Sequence, residues 1–591
     1  MTNTSTTFVR TCAHDAFTTC ERKIDTVTGF TRFDSTGEKV LSNRDIKKRW
    51  TQFHGSIRLV QGNLFQRIIG RMLGENTIRY RLARFFGRPL LQLVRRLRKQ
   101  PLVESTQRPT TKTAYFPHNY RPPLRATEKP EVPAELEKIE IVIIDEMSAA
   151  STATIKTLNE IVRVSEAEWL FISDESIPEF DRLVALSTLL SAASTSDDVV
   201  FADELGPDPR APILKSRAVG RHTLLSFNCV GRPALIRIST LRQNGGFDSK
   251  AKWAFEHDAY LRLLENGANF RHVAAVCVAG RPLHAFEASH VGNDTVNVVK
   301  VALRRRGLKG VVTQGEFGSS VRWRIAAPRP HPTIDIIIPT RDRIDLVQQC
   351  IAAIEEKTTY DNYNIIILDN DSKEPATLEF FSTTKYRVVP CPGPFNYALI
   401  VNRGVRHSNA DFVVTLNNDT ILVTQDWLEQ LLGLASLPDV SIVGASLLDQ
   451  HGHHEHDSIV VSPYPQHLRT DSNYPHIDQF TSAVRDVAAV TGAVQMVRRD
   501  LWESLGGMDE MLKVTMNDVD ICFRSQADGR SVVFTPDVQL IHHVSSSRGR
   551  LDPLEDRNRF IRRWDIFGSF RDPYFPESLL LLGETMYYRH R

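Results

Sequence analysis

Residues 333–343 read TIDIIIPTRDR, residues 363–372 read YNIIILDNDS and residues 409–420 read NADFVVTLNNDT. Each is a short run rich in Ile and Val that stops abruptly at Asp, Asn, Thr or Arg. Between the first two lies LVQQCIAAIEE (346–356), with apolar residues at helical spacing. Strands that read as continuous apolar runs are buried on both faces, and their alternation with helices predicts a parallel sheet of the α/β class. Such sheets bind ligands at the carboxyl ends of the strands. The polar tips fall there: Pro339, Thr340 and Asp342, then Asp369 and Asn370, then Asn417, Asn418 and Asp419. One such tip is ordinary turn chemistry. Three in one βα series predict a shared site.

Upstream, a second series alternates in the same way: IEIVIID (139–145), TATIKTLNEIVRV (152–164), WLFIS (169–173), DRLVALSTLLSAA (181–193) and VVFAD (199–203). The two series share an internal repeat. NGGFDSK (244–250) echoes LGGMDEM (505–511), FEHDAYLRLLENG (255–267) echoes MNDVDICFRSQADG (516–529), and FISDES (171–176) echoes LNNDT (416–420). This alignment sets Asp258 at the place of Asp518. Asp145 and Asp174 are 29 residues apart against 50 between Asp369 and Asp419, and a Pro-rich stretch precedes IEIVIID. The expectation is two tandem Rossmann-like domains, the first truncated by the loss of its first βα unit. It is read as a degenerate partner, or else as a second active centre through Asp174 and Asp258.

Before these lie three further segments. Residues 1–55 are polar and aperiodic and are expected to be disordered. Residues 56–100 hold eleven Arg and Lys against one acid, Glu75, with apolar residues at helical spacing. Basic amphipathic helices of this kind predict contact with an anionic membrane surface, or docking on an acidic partner. Residues 101–137 form a Pro-rich linker. The remaining boundaries are expected at 138–325 and 326–550 for the two α/β domains and 551–591 for a C-terminal helical extension.

The 591-residue chain carries 73 basic and 70 acidic side chains, a net charge of +3, which excludes a wholesale polyanion binder; nucleic acid is not expected as a partner. Its seven cysteines are scattered without a CxxC pair, which suits a reducing compartment. Nothing reads as a membrane span or signal peptide, so the expected location is cytoplasmic, peripheral at the inner face of the membrane if the basic helices bind lipid.

Clustered carboxylates and amides at strand tips suit transfer from a nucleotide sugar. The departing diphosphate gathers charge, which Mn²⁺ or Mg²⁺ held by a carboxylate such as Asp419 offsets. A carboxylate on the opposite side accepts the proton of the attacking hydroxyl. Asp518 is the candidate, with Asp520 as the alternative.

Residues 331–550 resemble bacterial family-2 glycosyltransferases of the GT-A fold, of the rhamnosyltransferase-like subgroup that builds O-antigen and surface polysaccharide. The stretches that carry the resemblance are IIIPTRDR, YDNYNIIILDNDS, PFNYALIVNRGV, NADFVVTLNNDT, VTGAVQMVRRDLWESLGGMDE, NDVDICFR and LIHHVSSSRG. The resemblance implies that Pro339, Thr340, Asp342, Asp369 and Asn370 contact the nucleotide. It sets Asn417-Asn418-Asp419 in place of the DxD signature, with Asp419 on the metal, and makes Asp518 the general base of an inverting enzyme. His542, or its neighbour His543, becomes a second metal ligand, Arg548 a phosphate contact, and Thr491 and Gly492 substrate contacts. HGHHEH (451–456) invites a metal-site reading, but its place matches a QHAG loop beside the acceptor, with His456 at the family histidine and Asp457-Ser458 replacing Ala-Gly. The implied partners are a nucleoside-diphosphate sugar donor and a glycan or polyprenyl-linked acceptor. Two rival readings stand beside this one: a non-catalytic carbohydrate-binding scaffold, and a bifunctional enzyme. A processive synthase is disfavoured, since NRFIRRW (558–564) lacks the Gln of QxxRW.

Overall fold

The computed structural model describes residues 138–591 apart from 145–149, 176, 206–211, 279–287, 318, 470–476, 544–552, 583–584 and 589–591. The expected disordered segment, the basic helices 56–100 and the Pro-rich linker therefore lie outside the described residues. The chain divides into two compact units. One, Ala114–Ile566 with Phe570–Arg591, holds both α/β series; the other, Met1–Thr113 with Phe567–Ser569, has only its last three residues described.

The first sheet contains β1 (Ile139–Ile144), β2 (Trp169–Asp174), β3 (Val199–Leu205), β4 (Ala234–Arg237) and β5 (Phe270–Val278), in the order β1-β2-β4-β3-β5. A hairpin of β6 (Gly310–Gln314) and β7 (Val321–Ile325) follows. The second sheet has ten strands: β8 (Ile334–Thr340), β9 (Tyr363–Asp369), β10 (Arg387–Pro390), β11 (Phe412–Leu416), β12 (Thr420–Leu422), β13 (Val440–Leu448), β14 (His454–His456), β17 (Arg485–Asp486), β18 (Val494–Arg498) and β19 (Ser531–His542). Its main path runs β10-β9-β8-β11-β18-β13-β19-β12, with β14 on β13 and β17 on β19. A small pair, β15 (Ile459–Val461) and β16 (Pro465–His467), stands apart from it.

Central strands are apolar because both faces are covered: in β8 every residue but Pro339 is buried. The helix Ile344–Lys357 buries Val347, Cys350, Ile351 and Ile354, one stripe at helical spacing. The polar tips end these strands on one edge: Thr340 pairs in register with Asp369, and Asp369 with Pro390.

The run β8-β11-β18-β13-β19 repeats the first sheet strand for strand, with the same alternation of parallel and antiparallel neighbours. One local lock recurs with it. Asn402 donates through Nδ2 to Met508 O and accepts the Met508 amide, at 2.8 and 2.9 Å. Asn159 does the same with Phe247, at 2.8 Å for each bond. A Cβ on the positive-φ Gly507 or Gly246 would lie 2.4 Å from the respective asparagine Oδ1, so both loops need glycine. The expectation that the first series lacks its first βα unit is corrected. β1 pairs with β2 as β8 pairs with β11, so the first sheet has no counterpart of β9 and β10. Spacing along the chain could not distinguish which unit was missing.

The two sheets share one apolar core and are also joined by a buried ion pair. The Asp486 carboxylate on β17 meets His222 Nδ1 at 2.8 Å and accepts the His222 and Thr223 amides. Burial opposes charge on Asp486, but His222 and these amides win and hold its pKa at about 2. At the C-terminus a helix, Leu554–Trp564, is followed by a hairpin of β20 (Leu579–Leu582) and β21 (Thr585–Tyr588), where helix alone was expected. No helix among the described residues is long and apolar enough to cross a membrane.

Candidate active site

The rim of the second sheet carries a rare backbone feature. Asp342, Arg343, Asp371, Ser458 and Met516 all have positive φ. Non-glycine residues reach that region at a cost of order 1 kcal/mol or more each, and such positions concentrate at functional sites. Asp342, Arg343 and Asp371 lie at the first two tips, Met516 precedes Asp518, and Ser458 follows His456.

After β8, Thr340 Oγ1 accepts a 2.9 Å bond from Asn418 Nδ2, tying the first tip to the third. Asp342 Oδ1 caps the turn after β9 by accepting the amides of Lys373 (2.6 Å) and Glu374 (2.8 Å). Those amides hold its carboxyl below the usual carboxylate range. Asp369 Oδ1 accepts the Ser372 amide at 2.9 Å. Asn370 donates to the carbonyls of Cys391 and Gly393, and its buried Oδ1 has no hydrogen-bond partner. Pro339 sits between the buried residues of the strand end, and Asn417 O accepts Thr420 Oγ1 at 2.7 Å. The first three tips thus form one bonded group.

Asp419 opens β12, whose first residue Thr420 pairs with His542 at the end of β19. Asp419 is 6% exposed, and its Oδ1 has no hydrogen-bond partner among the described residues. His542 Nε2 stands 3.4 Å from that oxygen, and His542 Nδ1 stands 3.5 Å from Glu455 Oε2 on β14. Burial works against a charged His542, but the Asp419 and Glu455 carboxylates outweigh it and raise its pKa to about 9. His543 instead gives its main-chain amide to Asp419 O, so the side chain facing Asp419 is that of His542. Arg548 lies outside the described residues.

Opposite, Asp518 stands in the first turn of the helix Asn517–Ala527, launched by the left-handed Met516. Its Oδ2 accepts the Gly492 amide at 2.8 Å. Gly492 O in turn accepts Tyr397 Oη (2.8 Å) and Thr415 Oγ1 (3.2 Å), joining Asp518 to β11 and to the helix Tyr397–Arg406. A Cβ at Gly492 would come within 3.3 Å of Asp518 Cβ and of Tyr397 Oη. The neighbouring Thr491 amide faces His456 Nε2 at 3.4 Å, and His456 Nδ1 lies 3.0 Å from His467 Nδ1. Burial, with His467 and His542 nearby, pushes His456 far below the ordinary histidine range, so it stays neutral. Ser458, where the resemblance expects glycine, has φ 114° and accepts a 2.9 Å bond from the buried Arg485.

The alternative base is removed by its contacts. Asp520 is fully buried and holds Arg524 Nε (2.8 Å), Trp564 Nε1 (2.9 Å) and Arg563 (3.3 Å). Arg524 also bonds the carbonyls of Leu505 and Gly507. Asp258 repeats this arrangement: Arg262 Nε at 2.9 Å, with Arg262 bonding the carbonyls of Asn244 and Gly246. The alignment of Asp258 with Asp518 is therefore corrected. Asp258 is the counterpart of Asp520, and Glu256 falls at the place of Asp518. Glu256 is 3% exposed and clamped by Arg232, whose Nε lies 3.0 and 3.1 Å from its two oxygens. The strand registers (Trp169↔Arg237, Phe412↔Arg498) likewise set Asp174 at the place of Asn417.

Among the described residues no group of three or more His, Cys, Asp or Glu is arranged to hold a metal by itself. Asp419 and His542 make two donors, with a buried carboxylate oxygen left over. That suits a cation such as Mg²⁺, which is commonly bound through one or two carboxylates plus substrate phosphates. Glu455 and His467 escaped the sequence reading. Glu455 sat inside the discounted HGHHEH run, and His467 had no motif around it.

Residues 335–505 match the family model described as Glycosyl transferase family 2. The chain is 31% identical over 395 residues to the O-antigen biosynthesis protein RfbC of Myxococcus xanthus, covering 64% of this chain and 30% of that one. It is 29% identical over 389 residues to the uncharacterized protein y4gI of Sinorhizobium fredii, covering 61% and 42%. The chain thus spans less than half the length of these two relatives. A shorter stretch of 69 residues, 12% of this chain and 22% of the other, is 36% identical to an N-acetylglucosaminyl-diphospho-decaprenol L-rhamnosyltransferase of Mycobacterium tuberculosis. Among solved structures, GalNAc-T7 with UDP, GalNAc and Mn²⁺ overlaps 42% of this chain and 50% of its own at 13% identity and a TM-score of 0.34, too loosely to carry an argument.

Proposed function

From the premise that residues 335–505 are a glycosyl transferase family 2 domain, we propose that the chain is an inverting, metal-dependent glycosyltransferase. It takes a nucleoside-diphosphate sugar and extends a surface-polysaccharide or lipid-linked glycan. The observation that carries this reading is the pairing of two carboxylate centres on one rim. Asp419 has a buried oxygen facing His542 that makes no hydrogen bond among the described residues, and Asp518 is oriented by the Gly492 amide. Thr340, Asp342, Asp369 and Asn370 receive the nucleotide. Asp518 accepts the proton of the acceptor hydroxyl as it attacks the anomeric carbon. Asp419 and His542 hold Mn²⁺ or Mg²⁺, which when bound offsets charge on the departing diphosphate. Thr491 and Gly492 line the acceptor side. Donor hydrolysis and transfer, assayed with purified protein, Mn²⁺ and a panel of nucleotide sugars, test the reading. Nucleotide binding without turnover by any donor would leave the scaffold reading in its place.

The first sheet is read as a truncated, catalytically silent copy. It has no counterpart of the nucleotide-side strands β9 and β10, and holds Glu256 in an ion pair with Arg232. Glu256→Gln is therefore expected to lower thermal stability, since removing one partner of a buried ion pair costs about 3–5 kcal/mol. Turnover per folded molecule stays unchanged. Loss of transfer to one acceptor but not another, at equal folded fraction, would revive the bifunctional reading.

The basic segment 56–100 is read as a contact with anionic lipid at the membrane face where polyprenyl-linked acceptors sit. Full-length protein is expected to co-sediment with vesicles containing anionic lipid, and salt is expected to release it. Equal partition of a variant with these eleven cations neutralised would refute this.

A further inference from the structure

Glu455 comes from a segment that no part of the proposed mechanism uses, yet its carboxylate faces the cation centre. It lies on β14, which hangs on β13 beside β19, and points Oε2 at His542 Nδ1 across 3.5 Å. That oxygen is buried without a hydrogen-bond partner. The opposite ring nitrogen, Nε2, is ion-paired with Asp419 Oδ1 at 3.4 Å, and this oxygen too is buried without a hydrogen bond among the described residues, on a residue 6% exposed. One imidazole thus has a carboxylate on each side, and the two carboxylates are not equivalent.

A separation of 3.4 Å between an oxygen and a nitrogen is close to that of neighbouring ligands around one ion. Bonds of about 2.1 Å at right angles set adjacent donors roughly 3 Å apart. Glu455, on the far nitrogen, cannot reach the same ion without displacing the ring. Its chemistry is different. A neutral imidazole offers a lone pair on only one nitrogen, and the partner of the other decides which. A carboxylate at Nδ1 keeps a proton there, so the proton that a cation would displace is the one on Nε2, and that lone pair then lies beside Asp419.

We propose that Glu455 is a positioning residue for the cation. It fixes the tautomer and ring orientation of His542, so that Nε2 and Asp419 Oδ1 present two preformed donors. The proposal rests on reading Asp419 and His542 as the cation's protein ligands. It also accounts for a carboxylate oxygen kept out of water on a half-buried residue.

The test is Mn²⁺ binding to the full chain, followed by electron paramagnetic resonance of the free ion. Binding is measured with and without UDP, GDP or dTDP, and melting temperature is recorded alongside. Glu455→Ala is expected to weaken Mn²⁺ binding about 10–100-fold. Glu455→Gln keeps a carbonyl that accepts the Nδ1 proton and is expected to recover most of that loss. Asp419→Asn is expected to weaken binding at least as much as Glu455→Ala. A purely structural Glu455 would lower the melting temperature and leave Mn²⁺ affinity in place, which would overturn the proposal. Equal weakening by Ala and Gln would overturn it as well, because charge rather than orientation would then matter. If Asp419→Asn alone weakens binding, Glu455 loses its role while the cation reading stands. If the unmutated chain binds no Mn²⁺, or Asp419→Asn changes nothing, the cation reading itself falls, and this proposal with it.

Discussion

Asp518→Asn lowers transfer by about 10²–10⁴-fold while nucleotide binding and melting temperature stay close to those of the unmutated chain. The factor is what a positioned general base contributes. The substitution is nearly isosteric, and the asparagine carbonyl can still accept the Gly492 amide that the carboxylate accepts at 2.8 Å. The loop carrying Thr491 and Gly492 therefore keeps its place, and the loss falls on proton transfer. The contrast is Asp520→Asn, two residues on. That carboxylate is fully buried and shared by Arg524, Arg563 and Trp564. Leaving such cations without their charge partner costs about 3–5 kcal/mol. Asp520→Asn should lower the melting temperature and the folded yield, with turnover per folded molecule intact. The pair of variants read by steady-state kinetics and thermal denaturation separates base from brace. Full turnover in Asp518→Asn, with turnover lost in folded Asp520→Asn, would exchange their roles and defeat the assignment.

The same two positions show where sequence reading stops. β8, β9 and β11 were legible because strands covered on both faces run mainly apolar, and their tips were legible because Asp and Asn ended each run. The repeat was legible as letters, yet its alignment slipped. FEHDAYLRL and NDVDICFR each offer two acids, and only the arginine four residues on, Arg262 or Arg524, says which acid braces the loop. Missing strands presented the same difficulty. IEIVIID resembles any buried parallel strand, and only its pairing with β2 identifies it as the counterpart of β8 rather than β9. Glu455 was hidden for a further reason. Its meaning depends on His542, which comes beside it only through the β13–β14 and β13–β19 pairings. Asp486 likewise sits on a two-residue strand with no periodicity to betray it, and its partner His222 lies on the helix Arg221–Ser226 of the other α/β series.

Asp419→Asn carries the second large effect. Its oxygen is buried, lacks a hydrogen-bond partner and faces a histidine from a different strand end, so little in the folded chain depends on its charge except that histidine. Glu455 remains on the other side of His542 to hold the ring. Folding should survive, and the loss should appear in chemistry. Removing one preorganised electrostatic contact to a developing charge typically costs about 10²–10³ in turnover. A diphosphate leaving group is a demanding case, because the charge appears on oxygens that only a cation or arginines can offset. Turnover in Asp419→Asn should therefore fall by that factor, and added Mn²⁺ should restore less of it than in the unmutated chain. Nucleoside binding through Thr340, Asp342 and Asp369 should persist, since they are linked through the Asp342 main chain and Ser372 by bonds that do not pass through Asp419. A Mn²⁺ titration of rate, with nucleoside binding measured by calorimetry, checks both halves. An Asp419→Asn chain that keeps its full rate and its full response to Mn²⁺ would mean that the buried oxygen serves some other end and that the cation centre lies elsewhere.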